Sequence, residues 1–218
     1  MGETVMSDLD LAALMCSKLC HDVISPVGAV TNGFEVLEDE TDEQMRDMAL
    51  GIMRTNADKA STRLQFLRLA FGAMGATGDR FPLEDAKRLT LSLYEGEKAQ
   101  IDWRIGPDSL PKDQVKLLVN LVQVAVSAIP RGGSVSVDMD RGGDTDGGDS
   151  VTFRLTATGS HATVPQAAET IFDGALPASA LDARSIQSYY AHRLARSLGM
   201  RIRVNGGDGA VDMVATHD

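Results

Sequence analysis

Apolar residues recur at alternating spacings of four and three from Ala12 through Cys16, Leu19, Val23, Val27, Val30 and Phe34 to Leu37, the stripe of one long packed helix. Ser7 with Asp10 three residues on resembles a capping box and opens this helix, which is expected to run to about Glu38. A tight acidic turn follows. Thr41 with Gln44 forms a fuller capping box, and Asp42 and Glu43 place negative charge where the helix dipole favours it. A second helix is therefore expected, with Met45, Ala49, Ile52, Ala60, Leu64, Leu67 and Phe71 as its stripe. Two helices of roughly 30 residues, each on the order of 45 Å long, joined by a short turn make an antiparallel hairpin. Leu11, Met15, Cys20, Ile24, Met48 and Met53 widen the stripes beyond what one partner helix covers. Two copies of the hairpin are accordingly expected to pair as a four-helix bundle, making the protein a homodimer.

The pattern breaks at Gly72 to Gly78, where three glycines separated by small residues read as a linker. Residues 1–73 then form the helical hairpin and residues 79–218 a second domain. Beyond the linker, Pro82 suits the first turn of a helix ending near Tyr94, Gln100 to Ile105 alternates as a strand, and Lys112 to Ala128 is a strongly apolar helix. Strands at Ser134 to Asp140 and Val151 to Thr158 flank the acidic, glycine-rich Arg141 to Ser150, which reads as a solvated hairpin tip whose aspartates lack metal-loop spacing. A helix near Val164 to Ile171, another from about Asp182 to Leu198, and strands Met200 to Val204 and Ala210 to Ala215 complete the domain. The fold class is α+β.

Composition narrows the partners. The 218 residues carry a formal net charge of −10, which argues against nucleic acid or an anionic membrane as the main ligand. The longest apolar run, Leu117 to Ile129, is interrupted by Asn120 and Gln123 and is shorter than the roughly 20 residues that span a bilayer. Glu3, Asp8 and Asp10 near the start leave no cationic region before an apolar core, so no secretory signal is expected. Cys16 and Cys20, one helical turn apart, read as reduced core or interface thiols. A cytoplasmic protein is expected.

The candidate chemistry lies in Leu19 to Val27. His21 points away from the apolar stripe, with Ser17, Gly28, Asn32 and Glu35 on its side, so its imidazole faces water or a partner. Pro26 sits inside the helical pattern, where it deletes one backbone donor and frees the carbonyl of Asp22; a bend is expected there. His21-Asp22, then Ser25-Pro26-Val27 after two residues, resembles the phospho-acceptor box of sensor histidine kinases. The second domain in turn resembles the Bergerat-like ATP-binding α/β sandwich that follows the histidine bundle in those kinases. Gln114 to Ala125, Pro130 to Val135 and Tyr190 to Val204 carry that likeness. Its nucleotide boxes are degenerate. Val124 stands where the family places a magnesium-binding asparagine. Ala157, Thr158, Gly159, Ser160 and His161 replace the aspartate- and glycine-bearing adenine box, and Ser185 to Ser188 replace a Gly-x-Gly phosphate cradle.

A phospho-acceptor hairpin joined to a nucleotide-blind kinase-like domain resembles the ChpT-type histidine phosphotransferases of alphaproteobacteria. The resemblance implies that His21 takes a phosphoryl group from the receiver aspartate of a hybrid histidine kinase and passes it to response regulators, including those of the CtrA and CpdR type in cell-cycle relays. It implies no cofactor on this chain, with Mg2+ held by the partner receiver. Asp22 is the candidate to orient the imidazole or hold its other proton. Ser25 is placed to hydrogen-bond the phosphoryl group or a water, or is simply the residue before a proline. Antiparallel pairing sets Lys59 and Arg63 opposite His21, with Lys18 one turn before it. The run Arg54, Lys59, Arg63, Arg68, with Asp58 its lone acid, would complement an acidic receiver pocket. His161, His192 and His217 receive no catalytic role. Two other classes compete: an ATP-dependent sensor-type kinase, which the lost nucleotide boxes disfavour, and a non-catalytic dimeric adaptor, which the intact histidine box disfavours.

Overall fold

A computed structural model describes residues 6–72, 78–142, 150–165, 167–175, 181–182 and 185–217. The expected linker, apart from Gly72 and Gly78, and the hairpin tip at 143–149 lie outside the described residues.

Helix α1 (Asp8–Asp39) begins as the capping box requires: the Ser7 hydroxyl accepts from the amide of Asp10. It runs unbroken through Pro26. Helix α2 (Glu43–Phe71) starts one residue later than expected. Asp42, not Thr41, is its N-cap, because the Asp42 carboxylate accepts from the amide of Met45 at 3.0 Å while Glu40 holds the Thr41 amide at 2.8 Å. The two helices pack side by side as an antiparallel hairpin.

The face of α1 that meets α2 is a correction to the expected stripe. Met15, Pro26 and Gly33 are buried, with Lys18, Asp22 and Ala29 partly covered between them, whereas Ala12, Cys16, Val27 and Phe34 are exposed. At roughly 100° per residue the covered face lies about a quarter-turn from the expected one. Gly33 lies on the covered face, against Met53. A Cβ at that position would stand 2.2 Å from Cγ of Met53, so a larger residue there requires the Met53 side chain to move. Cys16 and Cys20 are free and exposed, and therefore not core thiols of the chain.

Beyond residue 78, strand β1 (Arg80–Pro82) pairs antiparallel with β3 (Ser109–Pro111), a short ribbon absent from the expectations. Helix α3 (Leu83–Tyr94), strand β2 (Ala99–Trp103) and helix α4 (Lys112–Ser127) fall close to where periodicity puts them. Strands β4 (Gly133–Arg141), β5 (Val151–Thr158), β6 (Met200–Gly207) and β7 (Ala210–His217) join β2 in a five-stranded sheet of order β2-β4-β5-β7-β6. The β2–β4 pair is parallel and the rest antiparallel. Gly133 turns the chain into β4 with φ of 145°, and a Cβ there would stand 2.1 Å from the Thr158 carbonyl oxygen.

Helix α5 (Ala168–Phe172) is shorter than the helix expected from Val164, and α6 (Ile186–Ser197) begins four residues later than expected. Asp182 instead forms the turn before it, its carboxylate accepting from the Ser185 amide at 2.8 Å.

One face of the sheet buries Val135, Val137, Phe153, Leu155, Val211 and Met213 under the helices. The other faces water with hydroxyl and ion pairs such as Thr156 to Asp212 at 2.7 Å and Arg154 to Asp140 at 2.8 Å. The lower end of the hairpin joins the same core. Met15, Phe66, Leu69 and Ala70 pack with Leu118, Val122 and their neighbours, Phe71 meets Tyr190 edge-to-face at 5.2 Å, and Asn120 donates to the Ala70 carbonyl at 3.0 Å.

Candidate functional site

His21 stands on the middle turns of α1 with 86% of its side chain exposed. Asp22 beside it is half-buried and central. Its Oδ2 accepts from Lys18 Nζ at 2.8 Å, a hydrogen-bonded ion pair one turn apart. Its Oδ1 lies 3.5 Å from Nδ1 of His21, too long for a hydrogen bond. Its backbone carbonyl, which Pro26 leaves without a helical donor, accepts from Nη1 of Arg63 at 2.8 Å across the hairpin. The second arm of Arg63 stands 4.0 Å from Glu97 Oε1.

Two clefts meet at this row. One, of about 560 Å³, is lined by Ser17, Lys18, His21 and Asp22 of α1, Gln123 and Ser127 of α4, and Gln187 and Ser188 of α6. The other, of about 460 Å³, lies on the far side of Lys18 and Asp22, where Phe66, Leu67, Leu93, Val126 and Ile129 form an apolar floor beneath Arg63, Glu97 and Lys98. Tyr94 lines this second cleft. Burial first, and then the nearby carboxylates of Asp22 and Glu97, push its phenol well above the ordinary tyrosine range against the opposing pull of Arg63. It stays neutral at any working pH.

The family model for the histidine phosphotransferase C-terminal domain matches residues 83–210. Over 201 residues, 92% of each chain, the sequence is 41% identical to the protein phosphotransferase ChpT of Brucella abortus (strain 2308). The chain belongs to the histidine phosphotransferase family. A solved structure described as a bacterial phosphotransferase is 38% identical and matches with a TM-score of 0.83 over 97% of this chain and 98% of that one. The α+β fold and the phosphotransferase class expected from the sequence therefore both hold.

In this phosphotransferase the residues singled out by sequence separate into two groups. His21, Lys18, Asp22 and Arg63 converge on one turn of the hairpin. Ser25 is exposed one turn after His21, and Lys59 is exposed one turn before Arg63 and lines neither cleft. Sequence reasoning missed the wall opposite His21, formed by Gln123, Ser127, Gln187 and Ser188. Gln123 and Ser127 carried a signal: they are polar, four residues apart, and interrupt the apolar run of α4 on one face. Among the described residues no group of His, Cys, Asp and Glu is placed to hold a metal, and no helix is long and apolar enough to cross a membrane.

Proposed function

We propose that this phosphotransferase works in a bacterial multistep phosphorelay, with His21 accepting a phosphoryl group from the receiver aspartate of a hybrid histidine kinase and passing it to the aspartates of response regulators of the CtrA and CpdR type. The observation that carries this reading is the pairing of an exposed imidazole with a carboxylate fixed by Lys18 on its Nδ1 side. In the transfer, a proton on Nδ1 facing Asp22 would leave the Nε2 lone pair for chemistry. The lone pair attacks phosphorus in line with the departing carboxylate oxygen. The P–O bond breaks with its electrons returning to aspartate, and the N–P bond forms without a proton from outside. Asp22 stabilises the positive charge that the ring then carries. The open cleft between His21 and the α4–α6 wall suits the protruding active-site loops of a receiver, whose acidic pocket would supply Mg2+.

ATP has no part in this scheme. Val124 and Ala157, at the positions where the kinases read magnesium and adenine, are 1% and 0% exposed in the packed interior. Ser185 to Ser188 pack as the buried first turn of α6, where a phosphate cradle needs backbone donors facing outward. Incubation with a radiolabelled phospho-receiver and no ATP is expected to transfer label to the chain within minutes, while radiolabelled ATP with Mg2+ transfers none. Self-labelling from ATP would instead favour a sensor-type kinase, and no labelling from either donor would favour a non-catalytic adaptor.

A second copy of the chain is the proposed cover for the outer face of the hairpin. Leu9, Val27 and Phe34 are 84%, 48% and 57% exposed, and at roughly 100° per residue they fall within about 20° of one another with Cys16. Ile24 of α1 and Met48 and Ile52 of α2 are also exposed, at 69%, 55% and 51%. Phe34→Asp with Ile24→Asp in the full chain is expected to convert a dimer to monomer in light scattering, with the circular dichroism of the fold kept. An unchanged mass would remove the bundle from the reading.

A further inference from the structure

The basic residues of α2 look at first like charges waiting for an acidic partner, yet Arg63 is already engaged. Pro26 has no N–H, so the carbonyl of Asp22 four residues earlier has no donor in its own helix. That carbonyl sits directly after His21 in the chain. Arg63 reaches across from α2 and donates Nη1 to it at 2.8 Å, while Nη2 turns toward Glu97, just beyond the end of α3, at 4.0 Å. The Arg63 side chain is about two-thirds covered. Its planar fork suits this task as a lysine does not, since it addresses two acceptors in fixed directions.

We propose that Arg63 is a positioning residue that closes the backbone gap opened by Pro26. It holds the reactive turn of α1 in register with α2 and with the segment between α3 and β2. It acts through Asp22: with the peptide of Asp22 anchored, the carboxylate stays between Lys18 Nζ and the ring of His21, and the imidazole keeps a fixed aim toward the cleft. The proposal rests on the reading of His21 as phospho-acceptor and assigns Arg63 to the aim of that histidine, not to the binding of the receiver. A residue of this kind changes the rate of the chemical step, because a small displacement of a nucleophile in an in-line transfer is costly.

The test is a cycle on the full chain: Arg63→Met, Pro26→Ala and the double variant, with Arg63→Lys made in both backgrounds as the variant that preserves charge. Each receives phosphoryl from a radiolabelled phospho-receiver domain, and kcat and KM are measured at two salt concentrations. Arg63→Met is expected to lower kcat about tenfold with KM within about twofold. In the Pro26→Ala background, where the missing N–H is restored, the same change should cost less than about twofold. Arg63→Lys should lose part of kcat beside Pro26 and none beside the alanine. Equal losses in both backgrounds, a loss residing in KM and screened by salt, or full activity of Arg63→Lys in both would overturn the proposal. The carbonyl carbon resonance of Asp22 reads the contact with no partner present. It should shift in Arg63→Met and return in the double variant, and an unmoved resonance would equally overturn the idea. If the resonance behaves as expected while no form accepts phosphoryl from a receiver, the contact stands and the acceptor reading of His21 fails.

Discussion

His21→Ala is expected to abolish phosphoryl acceptance from a phospho-receiver while leaving the fold and receiver binding nearly intact. The imidazole contributes little packing with 86% of it exposed, and surface substitutions away from caps and networks change stability by under about 0.5 kcal/mol. The adjacent Asp22 keeps Lys18 at 2.8 Å when the ring is gone, so that carboxylate is not orphaned. Chemistry therefore goes and docking stays. The measurement is retained label, its acid-labile and base-stable character, and receiver binding by calorimetry, all set against thermal unfolding of the same preparations. Acid-labile, base-stable phosphate persisting on the His21→Ala chain would move the acceptor elsewhere and undo the reading of the whole turn.

The hairpin was legible because its signals are local. Ser7 caps α1 through a bond to an amide three residues away, and spacings of three and four need no knowledge of the partner to imply a helix. The rotation of α1 against α2 was not legible. Apolar residues cover more of α1 than one neighbour can bury, and which part is covered is settled by contacts such as Gly33 against Met53, between residues twenty positions apart in sequence. The strands of the sheet were found through alternation, while the β1–β3 ribbon has three residues per strand, too few to alternate. At the site, the His21-Asp22 and Ser25-Pro26 pairs announce themselves. The opposite wall comes from α4 and α6, whose approach to α1 is set by tertiary packing, and Gln123 and Ser127 within an apolar helix are its local trace. Arg63 shows the same limit from the other side. Its proximity to His21 follows from counting along the hairpin, but its bond to the Asp22 carbonyl joins a local signal, the donor that Pro26 lacks, to a reach across to α2 that only the packed helices fix.

Asn120→Ala is expected to be among the most destabilising single substitutions in the chain, although Asn120 touches neither His21 nor either cleft. Its side chain is fully buried in α4. Nδ2 donates to the carbonyl of Ala70 at 3.0 Å, in the last turn of α2, and to that of Lys116 at 2.7 Å. Oδ1 accepts from Nε2 of Gln187, in the first turn of α6. One amide thus ties the base of the hairpin to two helices of the second domain, and both of its ends are used. Truncation leaves the Ala70 carbonyl and the Gln187 amide without that partner where both residues are buried, at about 1–3 kcal/mol for each orphaned group. A loss of roughly 3 kcal/mol corresponds to a fall in unfolding temperature of about 6–12 °C for a chain of this size. Asn120→Leu, which fills the space, should recover little, because the loss lies in unpaired polar groups more than in volume. Gln187 also lines the cleft beside His21, so at a temperature where Asn120→Ala is still folded its phosphoryl transfer should slow more than its receiver binding weakens. Urea unfolding with a stability change inside about 0.5 kcal/mol, or an Asn120→Leu chain as stable as the parent, would show that this amide does not join the hairpin to the sheet domain.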